Sequence, residues 1–350
     1  MGTETLERID MSGRVPQILV NFAVRVLLLS GAAGALTHTT RAAENVAADD
    51  IIVVVGAEGT EEYGEPFRQW AANWESLAKQ AGANFQQIGI DPVSQPSDRE
   101  LLSDAIDRAH TPHASRLWIV LIGHGTFTRG EAKFNLRGPD LSATEFSQWL
   151  QVLERPLVVV NNTSSSGPFI QALSGPGRVI ITATKSGAEQ NFARFGEYFV
   201  RALGTADSDL DHDDEVSVLE AFLTAAAETR DFYQSAARIA SEHPLIDDNG
   251  DARGTPPTMF RAVRPVGIDK DGVELDGTKA SRVTLATFAT RLPLSAEQAA
   301  QRDSLEQQID QLRGRRDQVT ESAYLEQIEP LLVQLAELYR DAEAGETPGG

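Results

Sequence analysis

Three short stretches hold the residue types that chemistry needs. Gly123-His124-Gly125 sets an imidazole directly after the unbroken apolar run 117–122, and imidazole is the side chain best suited to move protons near neutral pH. Asn161-Asn162-Thr163-Ser164-Ser165-Ser166-Gly167 follows a second such run, 157–160. A hydroxyl there becomes a nucleophile only if a base takes its proton, and turn or helix capping explains Ser166 equally well. The third stretch is acidic and runs for twelve residues. Asp209, Asp211 and Asp213 stand at positions 1, 3 and 5, Glu215 at 7, Val216 at 8, Ser217 at 9 and Glu220 at 12. That is the oxygen-ligand spacing of a calcium loop, with the backbone carbonyl supplied at Glu215. A solvated acidic run is the alternative, but it would not set Val216 and Glu220 in register. Asp214 occupies the sixth position, where glycine normally makes the sharp turn, so weakened calcium binding is expected. The acidic turn 247–251 has Thr258 at its twelfth position and is expected to be a turn only. His110 and His113, three apart with no third ligand, are expected at the surface.

Those stretches need a frame that holds them together. The β-branched run 51–55 ends at Gly56, and 64–80 carries Phe67, Trp70, Trp74 and Leu77 at helical spacing. The alternation continues with strands near 85–90, 117–122, 157–160 and 179–182, and helices near 98–109 and 143–153. Unbroken apolar strands alternating with helices predict a parallel sheet covered on both faces, with ligands at its carboxyl edge. His124 and the serine turn leave that same edge, so their loops should face each other. The pattern predicts one three-layer α/β domain over 49–245. A β-rich appendage is expected over 246–292, with hairpin turns at Asp271-Gly272 and Asp276-Gly277. From 293 to 342 the apolar spacing is helical and heptad-like, predicting a helical hairpin that Pro330 kinks or restarts, and that docks on the body in preference to forming a dimer. The tail 343–350 is small and polar, hence expected to be disordered.

The order strand, Gly-His-Gly, about forty residues, strand, and a turn closing in Ser-Gly resembles the caspase-like cysteine peptidases, above all the legumain-type members. Asn-Leu-Arg-Gly-Pro-Asp-Leu at 135–141 is similar to the segment between that family's two motifs. The resemblance covers about residues 49 to 245 and implies a caspase-like fold. It puts His124 in the place of the catalytic histidine and Gly125 in that of an oxyanion-hole donor. Asn162 takes the place of an acidic residue of the specificity pocket, Ser164 that of the nucleophilic cysteine, and Ser166-Gly167 that of the closing pair. The chain contains no cysteine. A serine hydroxyl is a far weaker acid than a thiol and needs a base held in register by a third group, and no orienting carboxylate for His124 can be named. Asn162 also stands where the Gly-x-Ser-x-Gly elbow of serine hydrolases has its first glycine. The expectation is a peptidase homologue that binds peptide or protein in a retained cleft without cysteine-dependent cleavage. One alternative is a hydrolase with Ser164 as nucleophile and His124 as base; another is an adaptor working through the helical hairpin.

Composition narrows the classes further. With 31 Lys+Arg against 51 Asp+Glu the formal charge is −20, which disfavours capture of nucleic acid or anionic lipid and suits a cation. At 350 residues with 41% hydrophobic content, a sizeable core can be buried. Near the start, Arg14 and Arg25 precede the apolar run 26–36, with Ala42-Ala43 beyond it. This order predicts a secretory leader, or less favourably an N-terminal anchor, over 1–43, with Met11 a candidate initiator and export to a periplasmic or extracellular space.

Overall fold

Strands form where β-branched and apolar residues run unbroken, as at 51–55, 117–122 and 157–160, and helices where apolar residues recur at every third or fourth position. A computed structural model describes residues 48–92, 95–110, 115–211, 213, 215–266, 275–287 and 294–345. The expected leader and most of the tail, His113, His212, Asp214 and Asp271-Gly272 lie outside them. In chain order the elements are β1 (Asp50–Val55), α1 (Glu61–Ala81), β2 (Asn84–Ile88), α2 (Asp98–Arg108), β3 (Leu117–Ile122), β4 (Gly125–Thr128), β5 (Glu131–Phe134), β6 (Leu141–Ser142) and α3 (Ala143–Leu150). Then come β7 (Leu157–Asn161), α4 (Pro168–Leu173), β8 (Arg178–Thr182), α5 (Phe195–Leu203), β9 (Glu215–Ser217), α6 (Val218–Ser235) and β10 (Leu245–Asp247). The chain continues through β11 (Phe260–Arg261), β12 (Arg264–Pro265), β13 (Thr284–Thr287), α7 (Ala296–Gly314) and α8 (Glu321–Gly345).

Six strands make the central sheet in the order β10-β8-β7-β3-β1-β2. All pairings are parallel except that of β10, which runs antiparallel along β8. Every residue of β3 and β7 is buried, as the unbroken apolar runs require of strands covered on both faces. Helices α1, α5 and α6 cover one face through Phe67, Trp74, Phe199 and Phe222. Helices α2, α3 and α4 cover the other through Leu102, Ile106, Phe146 and Phe169. The architecture is therefore the expected three-layer α/β arrangement with a mainly parallel sheet.

Several local expectations are corrected. Between β3 and α3 lies a small antiparallel sheet, β4-β5-β6, which the sequence did not announce because its strands hold only two to four residues. β10 belongs to the central sheet, so the body extends past the expected boundary at 245. The appendage is sewn onto the body: β13 pairs with β9, and Phe260, Val263, Val283 and Leu285 pack on the core beneath α6. Asp276-Gly277 does not close a hairpin. Gly277, at φ +109°, starts a turn into the short 3-10 segment Ala280–Arg282, and Asp276 accepts the backbone N–H groups of Asp248 and Asn249 at 2.9 and 3.1 Å. In the C-terminal hairpin, α7 and α8 pack through Ile309, Leu312 and Ile328. α8 continues past Pro330 as one helix. The hairpin also docks on the body, since Arg302 of α7 pairs with Glu215 of β9 at 3.0 Å. Among the described residues, no helix is long and apolar enough to cross a membrane.

Candidate functional site

β3 and β7 are parallel neighbours, so their carboxyl ends deliver His124 and Ser164 to one edge. Gly123 makes the approach possible: its φ is +150°, and a Cβ there would lie 3.3 Å from the Gly56 Cα. The two side chains nonetheless turn to different partners. The His124 ring sits against Tyr63, Phe67 and Phe192, with centroids 4.9, 5.3 and 6.3 Å away. Its Nε2 lies 3.2 Å from the Glu58 carbonyl oxygen. Burial pushes its pKa below the ordinary 6.5, more than the Glu58 carbonyl raises it.

Ser164 is only 2% exposed. Its hydroxyl donates to the Gly125 carbonyl at 3.0 Å and accepts the Gly125 N–H at 3.1 Å. Those two bonds occupy both the hydroxyl proton and the backbone donor that the family resemblance assigns to an oxyanion hole. Gly125 must be glycine, because a Cβ would fall 2.1 Å from the Ser164 carbonyl oxygen. The rest of the turn is tied down in the same way. Ser165 donates its hydroxyl to the Gly187 carbonyl and its N–H to that of Glu189, while Ser166 and Gly167 bond to Thr184. The 185–189 segment therefore covers the serine turn, with Phe127 of β4 pressed on Gly187. Glu189 anchors that cover, accepting the Lys185 N–H at 2.9 Å and meeting the His243 Nδ1 at 2.5 Å. Among the described residues the recorded bond of the His124 ring is to Glu58, not to Ser164. Asn162 is buried beside Gly196 with neither amide atom hydrogen-bonded.

No protein-family model matches the chain, and no curated protein matches it. Solved structures similar to it include two caspases. The Drosophila initiator caspase Dronc is 15% identical over 59% of this chain and 81% of that one, with a TM-score of 0.40. Caspase-1 from Spodoptera frugiperda is 12% identical over 57% of this chain and 86% of that one, with a TM-score of 0.36. Raptor from Chaetomium thermophilum is 12% identical over 45% of this chain, which spans 17% of Raptor, with a TM-score of 0.31. At such scores these likenesses establish neither an activity nor a ligand for this chain.

An opening does exist close to His124, whose ring partners Glu58 and Phe67 help to line it. A cavity of about 570 Å3 is lined by Gly56, Glu58, Gly59, Phe67, Arg68 and Arg137 among others. Gly56 lets the chain at its wall pack closely, since a Cβ there would meet the Asn135 carbonyl oxygen at 2.4 Å. Arg137 is fixed at its wall by a two-pronged pair with Asp98 at 2.7 and 2.8 Å. The sequence did not point to this cavity, because its walls come from four separated segments, one of them helix α1. It missed the aromatic cage as well: Phe67 stood out only as a core position of α1, and Phe192 lies in an irregular segment.

The acidic loop follows the 3-10 segment Ala206–Ser208 and runs through β9 into the start of α6. Ligand oxygens of Asp209, Asp211 and Asp213 lie within 4.8 Å of one another, with Asp211 exposed. The loop is held by N–H bonds from Asp213 to Asp209 and from Glu215 to Asp213. Glu220, 2% exposed, closes a capping box with Ser217 at the start of α6 and turns its other oxygen to the N–H groups of Leu210 and Asp211. Burial raises its pKa despite those bonds. Glu306 of α7 is raised to about 7, by burial first and then by charges that include Asp213. The donor set is all oxygen, which suits a hard cation, and Glu220 reaches the inner side of the loop as a twelfth-position ligand should. The turn 247–251 is a turn as expected, with Asp248 capping the 277–280 segment. His110 is exposed.

Proposed function

We propose that this chain is an exported caspase-like peptidase homologue, of legumain type, that binds peptide or protein without cleaving it by cysteine chemistry. The observation that carries this reading is the reciprocal pair of bonds between Ser164 and Gly125, which leaves at the nucleophile position a buried hydroxyl already engaged at both ends. A nucleophile needs a base within reach, and the His124 ring is turned to the Glu58 carbonyl, with no bond to Ser164 among the described residues. The cavity beside His124 is the favoured peptide site. Glu58, Arg68 and Arg137 give it groups of both signs for side chains and backbone, and its size is in the range that takes one or two residues.

Calcium is the proposed ion of the 209–220 loop, held by Asp209, Asp211, Asp213, the Glu215 carbonyl, Ser217 and Glu220. Its chemistry there is structural. It would neutralise the three converging carboxylates and fix the link between α5 and α6. The test of the binding reading is retention of a broad peptide library on the immobilised full chain, beside Glu58→Ala and Arg68→Ala. Peptides retained intact by the unmodified chain, with a changed or weakened set in those variants, are expected. Retention indifferent to both substitutions, or recovery of cut peptides, would overturn it.

A further inference from the structure

Three carboxylates are buried where β10 runs into the appendage, and their oxygens fare differently. Asp248 accepts the Gly277 N–H on one oxygen and those of Lys279 and Ala280 on the other. Asp276 accepts the N–H groups of Asp248 and Asn249 on one oxygen and the Thr255 hydroxyl on the other. Asp247 is 0% exposed, and only its Oδ1 is engaged, by the Ser174 hydroxyl at 3.0 Å and the Gly250 N–H at 3.3 Å. Its Oδ2 is buried with no hydrogen-bond partner. An oxygen shut away from both water and donors is costly unless a proton or a cation meets it. A proton there would itself lack an acceptor, and the charges of Asp251 and Asp248 that act on this carboxyl are negative. The bond to the Gly250 N–H turns the carboxyl into its own turn, which has the layout of the first seven positions of a calcium loop. Asp247, Asn249 and Asp251 stand at positions 1, 3 and 5. Ala252 takes position 6 at φ +64°, the left-handed conformation that glycine normally supplies there. At position 7 the Arg253 N–H donates to the Asp251 Oδ1 at 2.8 Å, as that of Glu215 does to the Asp213 Oδ1 at 2.9 Å in the 209–220 loop.

We propose that residues 247–253 form a cation site of their own, which takes calcium on the Asp247 Oδ2, the side-chain oxygens of Asn249 and Asp251 and the Arg253 carbonyl, with water completing the shell. Asp247 ends β10 and Asp248 caps the 277–280 segment, so the ion fixes the place where the central sheet meets the appendage. With two carboxylates against the four of the 209–220 loop, and Thr258 in place of a bidentate glutamate, it binds the more weakly of the two, at about 0.1–1 mM. The reading does not depend on the peptide site or on the 209–220 loop.

The test is isothermal titration of the full chain, stripped of metal with a chelator, with calcium chloride at matched ionic strength. It is read in Asp211→Asn, so that the 209–220 loop stands or falls separately. Saturable binding of one calcium with a Kd of about 0.1–1 mM is expected there. Adding Asp251→Asn keeps an acceptor for the Arg253 N–H but removes a ligand charge, and should weaken that binding at least about tenfold, with the calcium-free chain still unfolding in one cooperative transition. No saturable binding by Asp211→Asn up to about 10 mM calcium, or equal affinity with and without Asp251→Asn, would overturn the site.

Discussion

The serine turn at 161–167 and the acidic loop at 209–220 both sit where a chemical site was expected, yet they are built in opposite ways. In the first, every residue is buried, and the hydroxyls and the backbone they face bond to one another. In the second, carboxylates from alternate positions converge within 4.8 Å at a partly open surface, where like charges repel unless a cation joins them. Position at the edge of a parallel sheet makes a site possible, but it is the state of the polar groups that decides. The hydroxyls of the serine turn serve to hold the fold together; the converging carboxylates also accept N–H bonds from their own loop, and it is there that a cation is proposed.

The contrast can be broken most strongly at Gly125. Gly125→Ala drives a Cβ into the Ser164 carbonyl and should destabilise the chain by about 3 kcal/mol or more, measured by denaturant unfolding; a tolerated alanine would mean that the serine turn is looser than it stands here. In the acidic loop, free calcium at 100 times its dissociation constant should add about 2.7 kcal/mol to stability. Asp211→Asn should lose most of that gain while its calcium-free stability stays within about 0.5 kcal/mol of the unmodified chain. Calcium without effect on the melting temperature would remove the ion from the account. Ser164→Ala should cost about 1–3 kcal/mol, because it strands the Gly125 N–H and carbonyl in a buried place; a hydroxyl kept for reaction alone would leave stability unchanged.

The smallest effect is one of pH. Burial raises the Asp276 carboxyl from its ordinary 3.8 to about 7. The folded chain therefore holds that proton more tightly than the unfolded one. The resulting stabilisation is complete below pH 3.8 and is lost as pH rises through about 7. Asp276→Asn, which imitates the protonated form, should flatten the fall in denaturant midpoint between pH 4 and 7. An unaltered slope would show that Asp276 is not its source.

The sheet was legible because β3 is apolar at every position and β7 at every position but Asn161, and that pattern admits few alternatives to a strand covered on both faces. The small sheet β4-β5-β6 was not, since two to four residues carry no period. Nor was the membership of β10, where Leu245-Ile246-Asp247 is too short to distinguish from a loop. At the site, sequence order sufficed to put His124 and Ser164 on neighbouring strand ends. It said nothing of their orientation, because the groups that turn them, Glu58, Phe192 and the 185–189 cover, come from segments without pattern. The spacing of the acidic loop was legible in full, as the residues proposed to hold calcium lie within twelve positions. The contribution of Arg302 and Glu306 from α7 was invisible at a separation of more than eighty residues.

The central claim is that the serine at the nucleophile position is structural and the chain does not cleave. Its most direct test incubates the full chain, with calcium, with a serine-directed phosphonylating probe and a broad set of peptide and ester substrates, beside Ser164→Ala and His124→Ala. No label on Ser164 and no turnover above the variants is the predicted result. A label on Ser164 that disappears in Ser164→Ala, together with turnover lost in both variants, would contradict it and make the chain a serine-using hydrolase.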